Sequence, residues 1–255
     1  MQLQLIRNAT LRLRYGGLTW IVDPALSPQG HNPPVRNTPN DRRNPLAPLP
    51  VDTESLSSPD AVLLTHLHLD HWDDAGAQNL LTGRLGGEVP LFCQPGDEER
   101  IGEKGFTRIY PVESELTHAG VTISRTSGRH GTGEIGRAMG RVSGFVLRAP
   151  GEPTLYIAGD TIWCDEVEDA LDRYRPDVTV INSGGARFNE GDPITMTPED
   201  AAAVCRYAPD TQVVAVHLEA INHCLTTRAD LADGLRKQGL EARVLIPADG
   251  ETLDF

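Results

Sequence analysis

The sequence lacks the features that insert a protein into a membrane or export it. No window approaches the ~20 apolar residues of a transmembrane helix, and residues 1–17 alternate charged and apolar side chains, so no signal peptide is predicted. The cysteines lie far apart, without a Cys-x-x-Cys pair, at Cys93, Cys164, Cys205 and Cys224. This spacing is typical of reduced thiols rather than of a disulfide framework. We therefore expect a cytoplasmic protein.

Basic residues are also fewer than acidic residues. The chain has 23 Lys and Arg against 36 Asp and Glu, a net charge of -13. A nucleic-acid partner needs a basic face, so none is expected, although a locally positive pocket is compatible with this balance. We expect a small-molecule substrate and no membrane partner, and the sequence leaves homo-oligomers open. At 255 residues, without internal repeats, the chain has the length of one large domain or two small ones.

Histidine is concentrated at one place, where His66, His68 and His71 stand within six residues with Asp70 among them. The run follows the apolar segment 61–64. Buried imidazole and carboxylate are costly unless hydrogen-bonded or ligated, so the run predicts a metal site. His66 and His68 project the same way from an extended chain, and Asp70 and His71 follow where it turns, so one pair can hold one ion and the next a second. The alternative is a solvated, His-rich loop, which the strand directly before it disfavours.

Further metal-ligating side chains follow other apolar strands. His130 lies in a glycine-rich loop just past the strand 121–126, and Asp160 follows the strand 154–158 after Gly159. His217 directly ends the strand 212–216. Periodicity predicts a hairpin over 11–22 with a Gly16-Gly17 turn. Several consecutive strands are predicted after it, and in the second half of the chain strands alternate with helices. This pattern alone indicates a mixed α/β fold.

Residues 24–50 form a long irregular segment that holds eight of the 19 prolines. Such loops tend to be functional lids or disordered. We expect this one to cover the metal pocket and to present Arg42 and Arg43 to an anionic substrate. His31 and Trp163 are further candidate substrate contacts. The alternative is a solvated, proline-stiffened surface loop.

The arrangement His-x-His-x-Asp-His after an apolar strand closely resembles the signature of the metallo-β-lactamase superfamily. The resemblance implies a four-layered αβ/βα sandwich formed by one domain over residues 1–255. It also implies two divalent ions, with zinc favoured and manganese as the alternative. The implied ligands are His66, His68 and His130 for the first ion, Asp70, His71 and His217 for the second, and Asp160 between them.

This family pattern implies hydrolysis by a hydroxide held between the ions. Asp70, Asp160 and His223 are the candidate catalytic residues: Asp70 can pass a proton to the leaving group, and Asp160 joins the ions. His223 competes with His217 as a ligand, and His217 is preferred because it ends the strand directly. His223 can then orient the substrate. His118, in a polar turn, is expected to be exposed.

Within the superfamily the chain most resembles the ascorbate-6-phosphate lactonases. The likeness rests on Trp72, Gly159-Asp160-Thr161 and Ile194-Thr195-Met196, and on the absence of a large insert of the RNA-processing kind. The expected substrate is a lactone or another ester-type bond in a small anionic molecule. A metal-dependent phosphodiesterase is the alternative, and a non-catalytic, metal-stabilised binding protein is a third. The segment 24–50 does not match the lactonase pattern.

Overall fold

The computed structural model describes residues 1–255, which form two seven-stranded sheets and six α-helices. The first sheet has the order β14-β1-β2-β3-β4-β5-β6, with β1 (Gln2–Arg7), β2 (Thr10–Tyr15), β3 (Leu18–Val22), β4 (Ala61–Leu63), β5 (Leu91–Cys93), β6 (Ile109–Pro111) and β14 (Thr252–Asp254). The second has the order β13-β12-β11-β10-β9-β8-β7, with β7 (Glu115–His118), β8 (Val121–Ser127), β9 (Ser143–Arg148), β10 (Leu155–Ile157), β11 (Val178–Asn182), β12 (Gln212–Val216) and β13 (Val244–Leu245). The helices are α1 (Asp74–Thr82), α2 (Glu98–Gly102), α3 (Gly133–Met139), α4 (Asp165–Tyr174), α5 (Pro198–Tyr207) and α6 (Arg228–Lys237).

The sheets pack face to face around an apolar core. Leu13 and Trp20 from the first sheet and Phe145 and Val214 from the second are fully buried in one cluster. Burying a side chain of this size contributes about 1.5–3 kcal/mol. This core fixes the two sheets against each other.

The helices cover the outer faces of the sheets. Leu80 of α1 packs in a cluster with Val62 of β4, and Leu171 of α4 and Leu231 of α6 pack in a cluster with Val213 of β12. The layers are therefore helix, sheet, sheet and helix, which confirms the predicted αβ/βα sandwich. The longest helices have ten residues, and no helix is long and apolar enough to cross a membrane.

Parallel pairing of strands brings the polar residues that follow these strands to the same edges of the sheets. β3 pairs in parallel with β4, and β10, β11 and β12 are parallel to one another. The carboxyl ends of parallel neighbours lie at the same edge of a sheet, where open α/β sheets bind ligands. The residues just past these ends therefore meet.

The predicted hairpin and the irregular segment after it are confirmed, since no helix or strand lies between Val22 and Thr53. The helix α1 follows the histidine run, and Asp73 caps it by accepting from the Gly76 amide. Phe106 precedes β6, and its ring packs against Trp72, with ring centroids 5.6 Å apart.

Four elements were not predicted, namely β1, β7, β14 and α3. The expectation that His118 is exposed is wrong. It ends β7, is half-buried, and its ring meets Trp20 edge-on at 6.5 Å. Burial lowers the pKa of His118.

Candidate metal centre

Two groups of side chains converge where the two sheets meet the loops. His66, His68 and His130 form one group, and the other group is Asp70, His71, Asp160 and His217. Within each group the ligand atoms all lie within 4.8 Å of one another. The structure thus brings together all seven residues that the family resemblance implies, in the same two sets.

Asp160 reaches both groups. Its Oδ2 lies 3.3 Å from His71 Nε2 and 3.4 Å from His130 Nε2, and its Oδ1 lies 3.7 Å from His217 Nε2. Five of the seven ligands are buried, whereas His68 and Asp70 are only half-buried. The cluster is therefore open on the side of His68 and Asp70.

Asp23 holds the inner side of the cluster. Its Oδ2 accepts from Thr65 Oγ1 at 2.6 Å and lies 2.7 Å from His71 Nδ1, and its Oδ1 accepts from the Thr65 amide. Because the Thr65 hydroxyl proton points to Asp23, its oxygen is free to accept from His66 Nδ1, 3.1 Å away. His71 and His66 are thus held through Nδ1 with Nε2 facing the cluster, an arrangement typical of metal-ligating imidazoles.

Three further ligands also have hydrogen-bonding partners outside the cluster. His130 Nδ1 donates to the Ile194 carbonyl at 2.8 Å, His217 Nδ1 lies 3.3 Å from Cys224 Sγ, and Asn182 Nδ2 donates to Asp160 Oδ1 at 2.6 Å. Carbonyl oxygen only accepts, so the His130 proton is on Nδ1. Nε2 of His130 then presents a lone pair to the cluster.

Gly159 is required by this geometry. Its φ is 71°, and a Cβ there would lie 2.6 Å from the Ser143 carbonyl oxygen. Any other residue would force β9 and the end of β10 apart. Glycine therefore allows the close backbone approach that sets Asp160 in place.

The charges around the cluster favour a cation. Burial by itself would lower the pKa of His71, but the Asp160, Asp23 and Asp70 carboxylates raise that pKa to about 10. Burial alone would raise the pKa of Asp160, yet the surrounding imidazoles hold it well below its usual range. His71 Nε2 is also buried without a hydrogen-bond partner. An orphaned nitrogen amid nitrogen and oxygen donors fits divalent ions of the zinc or manganese class.

A cavity of about 310 Å³ opens beside His68, Asp70, His130 and Asp160. This is within the usual size of a small-molecule site. Its wall is largely apolar, formed by Ala25, Pro33, Pro34, Val35, Pro45, Leu69, Met139, Phe188, Ile194 and Ile221. The irregular segment 24–50 supplies about half of that wall.

The arginines predicted to face the substrate are not on this cavity. Arg42 and Arg43 are exposed, and the Arg43 guanidinium is hydrogen-bonded to the Gly30 and His31 carbonyls. The chain turns their side chains outward because the apolar residues of the segment occupy the cavity side. His31 is likewise exposed and does not line the cavity.

Trp163 does not line the cavity either. Its ring packs edge-on against Tyr207 on the outer helix layer, with centroids 5.4 Å apart. The cavity's one basic side chain is Arg7, whose guanidinium donates to the Ala25, Ser27 and Ala47 carbonyls. The expectation of an arginine-lined anion pocket is therefore corrected.

His223 and Asn8 are polar residues on the cavity wall outside the ligand groups. Burial lowers the pKa of His223 to about 4, and its Nδ1 has no hydrogen-bond partner. Asn8 Nδ2 donates to the Asp70 carbonyl at 3.0 Å, and its Oδ1 is buried without a partner. The wall thus offers a neutral imidazole and an amide beside the cluster.

Sequence reasoning missed Asp23, Asn8, Asn182 and Cys224 as parts of the site. A signal for Asp23 was present, because a carboxylate directly after a buried strand is the same pattern that pointed to Asp160. The other three had no such signal, since asparagine and cysteine near strand ends are common in turns.

We predict that Asp23→Asn weakens metal binding about 10–100-fold, the usual effect of losing an outer-sphere partner. An amide would present a donor where Thr65 and His71 both need an acceptor. Equilibrium dialysis against a metal buffer measures the affinity. The matched control is Asp52→Asn, an exposed carboxylate that caps the turn Thr53–Leu56. Equal affinities in the two variants would contradict this role for Asp23.

The layered fold and the histidine-aspartate cluster at its strand ends together define a metal-dependent hydrolase of the metallo-β-lactamase fold. Residues 19–218 match the model of the Beta-lactamase superfamily domain. The chain belongs to this superfamily, and within it to the UPF0173 family of metal-dependent hydrolases.

Relatives match along the whole chain. UPF0173 protein YddR from Bacillus subtilis is 34% identical over 100% of both chains. The crystal structure of an isothiocyanate hydrolase from Delia radicum gut bacteria is 38% identical with a TM-score of 0.93, covering 100% of this chain and 99% of the other. A possible metal-dependent hydrolase from Veillonella parvula is 33% identical with a TM-score of 0.94, at the same coverage. None of these three is described as a lactonase, so the narrower likeness to that branch stays a prediction.

Proposed function

We propose that this protein hydrolyses a small, uncharged molecule that carries an electrophilic carbon and an apolar substituent, with isothiocyanates as the first class to test. The observation that carries the proposal is a cluster of seven candidate metal ligands that opens into an apolar cavity without a free Lys or Arg side chain. The 38% identity with an isothiocyanate hydrolase over the full chain supports this choice of class.

We assign His66, His68 and His130 to one divalent ion and Asp70, His71 and His217 to the other, with Asp160 reaching both. When bound, such a pair of ions lowers the pKa of a shared water and polarises the substrate. Zinc fits the imidazole-rich first group, and manganese suits the carboxylates of the second.

The chain's own residues bind and orient the substrate. The apolar wall around Val35, Phe188 and Ile221 would take the substituent and exclude water. His223, neutral above about pH 4, can exchange a proton with the substrate heteroatom. Asp70, half-buried at the cavity, can hold a proton on its way to the leaving group.

For an isothiocyanate the reaction adds one water molecule to the central carbon. The bond between this central carbon and the nitrogen then breaks, and the nitrogen takes up two protons. The products are an amine and carbonyl sulfide. His223 and Asp70 line the cavity and could take up a proton from the attacking water and pass it to that nitrogen. Asn8 Oδ1, an acceptor without a partner, suits the N–H that forms there.

A lactone or simple ester is the second candidate, because the same carbon chemistry applies and the cavity accepts an apolar acyl group. A phosphodiester fits less well. Its charge would require a free cation besides the metals, and the Arg7 guanidinium is already committed to three carbonyls.

A substrate panel tests the proposal. The metal-loaded protein is assayed with alkyl and aryl isothiocyanates, lactones, neutral esters and phosphodiesters, each with and without a chelator. We expect metal-dependent turnover of isothiocyanates with release of the amine. Turnover of lactones alone would favour the second candidate. If no class of substrate showed metal-dependent turnover, the proposed function would be overturned.

We further expect about two transition-metal ions per chain in protein purified without chelator, because each ligand group is complete. Elemental analysis measures the content, and Arg42→Ala serves as an unaffected control. A reproducible content near zero after metal addition would contradict the two-ion assignment.

A further inference from the structure

One segment of the cavity wall has almost no regular structure of its own. Residues 32–45, called the strap here, form no helix or strand and close on themselves through the Asn32 and Asn44 backbones, with N to O distances of 2.7 and 3.0 Å. Pro33, Pro34 and Val35 of the strap line the cavity. The position of such a wall depends on its contacts with neighbouring segments.

Asn222 lies behind the strap and is 1% exposed. Its side-chain oxygen accepts from the Val35 amide at 2.9 Å and from Asn44 Nδ2 at 2.8 Å. Its Nδ2 lies within hydrogen-bonding distance of the Val35 carbonyl, the Thr38 hydroxyl and the Asn40 carbonyl, at 3.1, 2.7 and 2.9 Å.

The backbone of the same residue adds two more bonds. The Asn222 amide donates to Asn44 Oδ1 at 2.8 Å, and its carbonyl accepts from Asn40 Nδ2 at 2.6 Å. One buried residue thus makes seven polar contacts with the strap, although Nδ2 has two hydrogens and donates to two of its three acceptors at a time. Such fully satisfied buried networks rigidify the segments that they join.

The position of Asn222 in the chain connects this network to the reaction. Its neighbours Ile221 and His223 both line the cavity, and the segment begins at His217 of the ligand cluster. Val35 packs in one apolar cluster with Ile221, Phe188 and Met139. The apolar wall and the His223 imidazole are therefore held at a fixed separation by Asn222.

We propose that Asn222 is a positioning residue that sets the strap against His223 and thereby determines which apolar substituent the cavity accepts. This proposal rests on the proposed function for its substrates. Without the Asn222 side chain, the Val35 amide and Asn44 Nδ2 lose their acceptor, and only the two backbone bonds of this residue to the strap remain. The wall can then move away from the ligand cluster. A large substituent then loses its contacts, whereas a small one, which does not reach the wall, loses little.

The test compares Asn222→Ala with the metal-loaded wild type on two substrates that share the reacting group and differ in the substituent, benzyl against methyl isothiocyanate. We expect kcat/KM for the benzyl substrate to fall about ten-fold or more, chiefly through KM. For the methyl substrate it should fall less than about three-fold, with unchanged metal content. Asn222→Ser keeps a hydroxyl that can donate and accept, without placing a charge against the Val35 and Asn40 carbonyls, so an intermediate effect is expected. It also carries the test if the alanine variant does not fold.

Two control variants separate positioning from general loosening. Asn79→Ala removes an asparagine of α1 whose Nδ2 donates to the Thr53 carbonyl at 2.8 Å, away from the cavity. Arg42→Ala changes an exposed strap residue. Both should leave the benzyl-to-methyl ratio unchanged. An equal loss for both substrates in Asn222→Ala, or the same ratio as in Asn79→Ala, would overturn the proposal.

If the wild type hydrolyses neither isothiocyanate, the proposed substrate fails and the strap is tested by binding. Calorimetry then compares the neutral amides N-benzylacetamide and N-methylacetamide, and hydrogen exchange follows the Val35 amide. We expect Asn222→Ala to lose the preference for the benzyl amide and the protection of Val35. Retention of either, or no preference in the wild type, would overturn the inference.

Discussion

Asp160→Ala should abolish hydrolysis and release at least one metal ion while the sandwich stays folded. Outer-sphere partners of a metal site change affinity or activity about 10–100-fold, so loss of a ligand that reaches both ions should exceed that range. Asp160 Oδ2 lies 3.3 Å from His71 Nε2 and 3.4 Å from His130 Nε2, one in each ligand group. Without this carboxylate the two cations would repel each other with one anion fewer between them.

Metal content and kcat measure this effect, and circular dichroism checks the fold. The matched control is Asp165→Ala, five residues further along. Asp165 is exposed and pairs with Arg129 at 3.4 Å, so it cannot substitute for Asp160 in the cluster. A variant Asp160→Ala with two bound ions and wild-type turnover would show that the bridging role is wrong.

His223→Gln should lower kcat about 100-fold to 10,000-fold with metal content retained, the range of a general acid or base. Glutamine keeps a polar side chain of similar reach but cannot exchange a proton at neutral pH. His118→Gln is the control, because His118 is half-buried against Trp20 and does not line the cavity. An unchanged kcat in His223→Gln would exclude His223 from proton transfer.

The lowered pKa of His223 also predicts how the free energy of unfolding depends on pH. Burial lowers the folded-state pKa from 6.5 to about 4. Above pH 6.5 both states are neutral and the group contributes nothing to the pH dependence. As the pH falls from 6.5 towards 4, the unfolded chain binds a proton that the folded chain does not, so the free energy of unfolding decreases.

Thermal unfolding of wild type and His223→Gln between pH 8 and pH 4 measures this contribution. We expect the wild type to lose more stability than the variant over the acidic half of the range. Parallel curves would mean that the imidazole is accessible to water and protonates normally. The apolar wall around it would then be more open than the structure shows.

Elements with a local turn, cap or apolar-run signal could be predicted, whereas four elements were missed, among them β1, although its six residues include the alternating segment from Gln2 to Leu5. The hairpin of β2 and β3, the helix α1 with its Asp73 cap, and α5 with Thr197 and Pro198 each carry a local signal. β7 and β14 have four and three residues, too few for a period to show. Helix α3 contains Gly133 and Gly136 and follows Gly131, a composition that predicts a loop.

Some features of the site could likewise be predicted from the sequence and others could not. The sequence by itself determined the seven candidate ligands, because imidazole and carboxylate directly after apolar strands have few other uses and their order matched a known family. It could not determine which way the segment 24–50 faces. Arginine suggested an anion contact, but the side chain that faces the cavity depends on which apolar residues the neighbouring loops offer.

Only the tertiary structure decided the cavity's character. Val35, Phe188 and Ile221 are far apart in sequence and form one wall, which turned Arg42 and Arg43 to solvent. Asn222 and Asp23 took their roles in the same way, from partners up to 187 residues away. Ligand type is a property of one side chain and is readable locally, whereas a wall or an outer-sphere partner is a relation between distant segments that exists only once the sheets have packed.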